Sequence, residues 1–427
     1  MKLLTVEVES PLPDVPPPTV GEQWVLVRLH REPLGLLKFT RHGCTAARLA
    51  RLIADRFGHR ILTHLVADAL TDGASVSLES PAADCPRLRP MTLPSLTVAV
   101  CTRDGAARLP ECLDALAALE YPGGHLDLLV VDNAPLDDSA RRVIERYPSI
   151  RCVVEPLAGL DRARNRAIVE ARGDIIAFTD DDVSVDGLWA EAIGRRFGSE
   201  PDVDAVTGLV MADEIDVEPQ RLFETYGGFS RGFDRRYFRV DTASGEKAAR
   251  RHVGAGRFGT GANMAFRRRL FDRIGLFDPA LDVGTPTNGG GDLEMFFRVL
   301  KEGGTLVYEP SAIVRHRHRR TYEALRTQLA NNGIGFYAHL VRTAHHYPDE
   351  RAGVLRFGAW WFWRWNVTRL ARSFVRPGDF PRDLILAELR GCFTGLRRYA
   401  RAKEQAARTA SLDAQPPTAS TANGAIT

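Results

Sequence analysis

Asp180-Asp181-Asp182 is the densest run of acidic side chains in this chain of 427 residues. Three adjacent carboxylates repel one another, and a hard divalent cation is the usual reason for such a run to persist behind an apolar stretch. In an extended segment residues two apart share a face, so Asp180 and Asp182 converge on one ligand while Asp181 points away. A solvated turn is the bland alternative. Further on, Asn288-Gly289-Gly290-Gly291-Asp292-Leu293-Glu294 leads from a glycine-rich loop into a helical pattern with Leu293, Phe296, Phe297 and Leu300 on its apolar face. A carboxylate in the first turn of a helix behind a flexible loop is well placed to move against a substrate, although capping favours the same residue type. In Ile313–Arg320, His316 and His318 alternate onto one side, and an imidazole there is a candidate ligand for a divalent transition metal. The flanking arginines suit a diphosphate instead.

Short apolar runs must position these groups. They are LTVAV (96–100), LDLLVV (126–131), IRCVV (150–154) and DIIAFT (174–179), and the first is followed by a stripe of Leu109, Cys112, Leu113 and Leu116. Runs without period-two alternation suit strands covered on both faces, and helical patterns between them predict a mostly parallel α/β sheet. Ligands of open α/β sheets sit at the carboxyl ends of the strands. Three of these runs end there in polar residues: Thr102-Arg103-Asp104, Asp132-Asn133 and the aspartate triplet.

Val130-Val131-Asp132-Asn133, then Gly159-Leu160-Asp161-Arg162-Ala163-Arg164-Asn165, then the triplet, occur in that order, and over about Leu96 to Arg320 the chain resembles the family 2 glycosyltransferases. The resemblance implies a GT-A fold, a nucleotide-diphospho-sugar transferase sheet with an Asp-x-Asp metal motif. It puts Thr102, Arg103 and Asp132 in the nucleotide pocket, with Asp132 accepting a hydrogen bond from the base, Arg164 nearby and Asp180 on the ribose. Asp182 then holds a Mg²⁺ or Mn²⁺ ion that bridges the diphosphate, and such an ion neutralises charge developing on the leaving group. Gly259–Arg267 matches the family's Gly-x-Asn-x-Ala-Phe-Arg stretch and makes Asn263 an acceptor-side residue. Asp292 becomes the general base of a direct, inverting displacement. Gly291 stands where the family usually has Glu, so Glu294 is the second candidate for the supporting carboxylate. His316 is favoured as an extra metal ligand. The implied partners are a nucleotide-diphosphate sugar and a glycan or lipid-linked acceptor, with cell-envelope polysaccharide or glycolipid as the expected product.

Residues 1–90 read as a separate small α+β module. QWVLVRL and LGLLKF resemble a strand pair, and a helix is expected from about Thr45 to Leu70. Residues 91–325 form the catalytic domain, 326–405 a basic helical segment and 406–427 a tail of disordered composition. From Arg351 to Lys403 there are twelve Lys or Arg against three Asp or Glu, although the net charge of the whole chain is only +3. No apolar stretch near the tryptophans there is long enough to span a bilayer. Tryptophans interleaved with arginines at 360–376 suit either an interfacial helix on anionic lipid or a helix packed on the catalytic domain. No nucleic-acid module accompanies the basic charge. The six cysteines contain no Cys-x-x-Cys pair, so neither a zinc knuckle nor a disulfide framework is indicated, and a reducing cytoplasm fits best. The N-terminus lacks the apolar run of a secretory signal. Two other readings use the same residues: a phosphatase with an Asp-x-Asp nucleophile, and a transferase-like domain that binds nucleotide or glycan without turnover.

Overall fold

The computed structural model describes residues 2–18, 21–72, 85–241, 244–249, 254–376 and 378–413. The N-terminal module has its own three-stranded sheet. β1 (Lys2–Glu7) lies parallel to β2 (Gln23–Leu29), which pairs antiparallel with β3 (Glu32–Phe39). The sequence predicts the β2–β3 hairpin; β1 is an addition, closed by chain-distant pairing. α1 (Ala46–Asp72) covers the sheet with Leu49, Ile53 and Phe57 at helical spacing.

The second sheet carries the acidic triplet. Its amino-terminal half is β4 (Leu96–Thr102), α2 (Leu109–Ala117), β5 (Leu126–Asn133), α3 (Ser139–Ile144), β6 (Ile150–Glu155), α4 (Leu160–Glu170) and β7 (Ile175–Asp180). These four strands are parallel, in the order β7-β4-β5-β6. Successive residues of β4 and β7 enter opposite cores. Val98, Val100, Ile175 and Ala177 pack with Leu113, whereas Ala99, Cys101, Ile176 and Phe178 pack with Ala163 and Ala167. Burial on both faces explains the unbroken apolar runs. β6 differs: at the sheet edge its burial alternates, and Val154 is exposed.

Then come β8 (Val183–Val185), α5 (Trp189–Ser199), β9 (Ala205–Ala212), α6 (Glu218–Tyr226), β10 (Arg236–Phe238), β11 (Asn263–Arg267), α7 (Leu270–Ile274), α8 (Gly291–Lys301) and β12 (Leu306–His316). β11 enters antiparallel between β7 and β9, and β12 pairs parallel with β9 but antiparallel with β8 and β10. The fold is thus a mixed α/β sheet flanked by helices. Pairing is parallel across β4–β7 and β9–β12 and antiparallel where β8, β10 and β11 join, so most of the paired residues lie in parallel ladders, as expected.

The chain finishes in helices: α9 (Tyr322–His346), α10 (Arg351–Trp361), a π-helical turn at Phe362–Val367, α11 (Thr368–Val375) and α12 (Arg382–Asp413). α9 and α12 run side by side in the same direction. Tyr322 Oη donates to Asp383 at one end, and Ala338 packs with Tyr399 and Ala402 at the other. α12 continues to Asp413, past the start expected for a disordered tail, and the Ala406 carbonyl accepts from Arg162. Packing of Ala406 in the cluster of Ala280, Leu281, Ala338 and Ala402 supplies what local composition lacked; residues 414–427 lie outside the described set. No helix among the described residues is long and apolar enough to cross a membrane.

Candidate functional site

β7 ends in Asp180, and after two intervening residues β8 starts at Val183, so the triplet sits at the turn between them. Pairing of β8 with β12 sets His316 opposite Val183. One ligand atom each from Asp180, Asp182 and His316 then falls within 4.8 Å of the others. His316 Nε2 is 3.5 Å from Asp182 Oδ1, and Arg319 approaches the other carboxylate oxygen at 3.6 Å. Burial lowers the His316 pKa to about 4, so the neutral imidazole presents a lone pair at neutral pH. Behind it, His316 Nδ1 lies 3.4 Å from His318 Nδ1, and His318 Nε2 is 2.9 Å from Glu224 on α6. Such outer contacts fix the ring of a metal-binding histidine. Burial raises Asp180 to about 7 against the opposing Arg164 charge, with Asp182 and Asp181 adding to the rise. This is the signature of carboxylates gathered for a cation.

Asp181 turns the other way, as strand alternation predicts. It accepts from Thr102 Oγ1 at 2.7 Å and from Arg108 Nη2 and Nε at 2.8 and 3.1 Å. Thr102 is buried, and its hydroxyl is engaged in fixing the triplet. Asp132, at the end of β5, is also buried, and its Oδ1 has no hydrogen-bond partner. Burial and the nearby Asp104, Asp137 and Asp138 raise its pKa. Arg103 is half-exposed beside Asp104 at 3.9 Å.

α4 brings Arg164 to the back of the site. Its Nη1 donates to Asp161 Oδ1 at 2.9 Å, and its Nη2 is 4.0 Å from Asp180 Oδ1. The helix start is set by Asn133, whose Oδ1 accepts from Gly159 N and whose Nδ2 donates to the Leu157 carbonyl. Asp282, unnoticed in the sequence, accepts from the backbone N of Asp161 at 2.9 Å and of Arg162 at 3.4 Å. A carboxylate against free N–H groups at a helix start is the favoured sign.

Asp292 is the second residue of α8, and Gly290 in left-handed conformation is the N-cap. Asp292 is thus not the cap. Its Oδ2 accepts from Gly261 N at 2.9 Å and its Oδ1 from Leu293 N at 2.9 Å. Gly290 (φ 103°) leaves no space for a side chain, because a Cβ would lie 2.5 Å from the Gly335 carbonyl of α9. α12 braces the same loop from outside: Arg398 donates to the Pro286 carbonyl and Tyr399 Oη to Asp278. A side chain at Gly291 would strike Asp161, since its Cβ would lie 1.8 Å from Asp161 Oδ2. That oxygen is buried without a hydrogen-bond partner, and burial together with the Asp282 charge pushes the Asp161 carboxyl well up.

Two residues assigned from the sequence lie elsewhere. Asn263 is core: its Oδ1 accepts from Trp189 Nε1, and its Nδ2 donates to the Leu209 and Ala312 carbonyls, tying β11 to β9 and β12. Glu294 is fully buried, ion-paired with Arg298 and, at 2.6 Å, with Arg342 Nη1 of α9. Two residues along a helix is a rotation of about 200°, so Glu294 faces away from Asp292. Replacing Glu294 with Ala strands two buried guanidinium groups and should cost about 3–5 kcal/mol of stability. Urea unfolding of the variant reads this directly; stability within 1 kcal/mol of wild type would contradict the structural role.

Residues 94–333 match the family model described as glycosyltransferase like family 2, which spans more than half the chain. The chain belongs to this family. Among curated relatives, it is similar to a probable N-acetylgalactosaminyltransferase 6 of Caenorhabditis elegans, at 26% identity over 45% of this chain and 34% of that one. It is also similar to the glycosyltransferase AglE of Haloferax volcanii, at 27% identity over 56% and 71% of the two chains. A third relative is the glucosyl-dolichyl phosphate glucuronosyltransferase of the same organism, at 25% identity over 52% and 69%. The match spans about a third of the length of the first of these relatives. A solved structure, the mannosyltransferase PcManGT from Pyrobaculum calidifontis in complex with GDP-Man and Mn2+, aligns over 86% of this family member and 90% of that chain, at 20% identity and a TM-score of 0.39.

Proposed function

We propose that this chain moves a sugar from a nucleoside-diphosphate donor to an acceptor hydroxyl with inversion at the anomeric carbon. The observation that carries the reading is the cluster of Asp180, Asp182 and His316 at a strand end, facing Asp292 across Arg164. Two carboxylates and a neutral imidazole fit Mg²⁺ or Mn²⁺, which Asp182 and His316 would hold. A cation held there would offset the charge that develops on the departing diphosphate. Sugar transfer is the element common to the relatives' names, which supports the reading.

The chain's own residues do the rest. The partnerless Oδ1 of Asp132 accepts an N–H from the nucleobase, and Arg103 is free to swing from Asp104 toward the nucleotide. Asp180 orients the ribose, and Arg164 keeps the carboxylates apart by standing between Asp161 and Asp180. Asp292 takes the proton of the acceptor hydroxyl as its oxygen attacks, held in aim by the Gly261 amide. The carboxyl beside it comes from Asp161, filling the volume that a side chain at Gly291 would need. Incubating the full chain with Mn²⁺ and a panel of uridine, guanosine and deoxythymidine diphosphate sugars tests this. One donor should release its nucleoside diphosphate only when the cation is present. A chain that binds a donor but releases none is a binding module, and the proposal fails.

The acceptor we propose is lipid-linked, met at the cytoplasmic face of an anionic membrane during envelope glycan synthesis. On α10, the π turn and α11, Leu355, Trp360, Trp363, Phe374 and Val375 are exposed among Arg356, Arg364, Arg372 and Arg376. Exposed tryptophan beside arginine suits the headgroup layer. The protein should sediment with vesicles containing phosphatidylglycerol and not with phosphatidylcholine alone, and Trp360→Ser with Trp363→Ser should release it. Equal binding to both vesicle types would sink the membrane assignment.

A further inference from the structure

We propose that His30, His64, Asp68 and Cys85 bind a structural zinc ion that fastens the N-terminal module. These residues come from three separate segments and are not among the residues of the candidate active site. His30 occupies the β2–β3 turn with φ 49°, a backbone region that residues other than glycine enter sparingly. His64 and Asp68 lie one turn apart on α1, and Cys85 opens the short helical turn Pro86–Leu88. All four are buried, and one ligand atom of each lies within 4.8 Å of the other three.

The distances lie within about 0.3 Å of those of a coordination shell. His30 Nδ1 is 3.0 Å from His64 Nε2, which is 3.1 Å from Asp68 Oδ2 and 3.7 Å from Cys85 Sγ, and His30 Nδ1 is 3.5 Å from the same Asp68 oxygen. Zinc–nitrogen bonds of about 2.0–2.1 Å and zinc–sulfur bonds of about 2.3 Å give tetrahedron edges of roughly 3.3–3.6 Å. Hydrogen bonding alone does not account for the cluster. His64 Nε2 faces three heteroatoms but carries either one proton or one lone pair. Asp68 Oδ2 forms no hydrogen bond despite two imidazole nitrogens beside it. A cation at the centre satisfies four lone pairs at once, and one carboxylate with one thiolate cancels its double charge.

The outer contacts agree. Glu32 Oε2 lies 3.2 Å from His64 Nδ1, the carboxylate–histidine pairing that orients a metal-bound imidazole, and Arg87 Nε lies 3.3 Å from the second oxygen of Asp68. Thiolate with imidazole selects zinc over magnesium or calcium, and four protein ligands leave no position for substrate. The site joins the hairpin, α1 and the chain entering the catalytic sheet. Its neighbours grip that domain: Arg31 pairs with Glu191 at 2.7 Å and Glu32 with Arg235 at 2.9 Å.

The test is metal analysis of the full chain after exhaustive dialysis against metal-free buffer. Wild type and Asp182→Asn should each retain about one zinc per chain, and His64→Ala should lose it. Cobalt added to stripped wild-type protein should give tetrahedral d–d absorption with a thiolate charge-transfer band, and Cys85→Ser should lack that band. The cobalt spectrum needs only the native chain, so it decides the matter if the His64 variant fails to fold. Wild type that holds no zinc and gives no tetrahedral cobalt spectrum overturns the site. So does zinc that is lost in Asp182→Asn and kept in His64→Ala.

Discussion

Asp182→Asn is expected to lower kcat by at least about 10²–10³-fold, the loss seen when one preorganised charge-stabilising group is removed from a site of developing charge. Asp182 is the residue on which the cluster closes: His316 stands 3.5 Å from one of its oxygens and Arg319 3.6 Å from the other. The amide keeps the shape and removes the negative charge that a divalent ion requires. Cation-dependent stabilisation by nucleoside diphosphate, read as a thermal shift, should vanish with activity, because a ligand that binds only the folded form raises its melting temperature. Stability without metal should hold or rise, since the substitution removes one of the charges that push Asp180 up. Activity within tenfold of wild type would mean that the cation sits elsewhere.

Asp292→Asn should cost about 10²–10⁴-fold in kcat, the span typical of a general base. The KM for the nucleotide sugar should change little, because no donor-side group is touched. Asparagine can still accept from Gly261 N through its carbonyl, so the loop geometry survives and only the proton acceptor is lost. This separates Asp292 from Glu294 in a single comparison. The first variant should be a stable, inactive protein, and Glu294→Ala an unstable one. Should Asp292→Asn instead raise the donor KM and spare kcat, the residue binds rather than activates.

The two variants divide along a line that the sequence itself contains. Helical rotation separates Asp292 from Glu294, and strand alternation separates Asp180 and Asp182 from Asp181. Both are local periodicities, and the structure follows them. The same holds for the apolar runs of β4, β5 and β7 and for Leu109, Cys112, Leu113 and Leu116, all buried on one stripe of α2, but not for the edge strand β6. Where local pattern failed, a long-range partner had intervened. Thr102 was claimed by Asp181 from a neighbouring strand, and Asn263 by carbonyls of two others. Ala406 continues α12 by packing against Ala280, Leu281 and Ala338, with its carbonyl accepting from Arg162.

By itself, then, the sequence determined that the four apolar runs become strands, where three of their carboxyl ends deliver acid groups, and which of three aspartates face together. Each follows from the period of an extended or helical backbone and needs no knowledge of what lies opposite. Tertiary structure alone decided the partners. β8 pairing with β12 carried His316 to Asp182 across more than a hundred residues, the absence of a side chain at Gly291 made room for Asp161, and one hairpin turn, one helix and one loop gathered His30, His64, Asp68 and Cys85. A burial core brings such groups together by chain closure rather than by spacing, so no window along the sequence contains them.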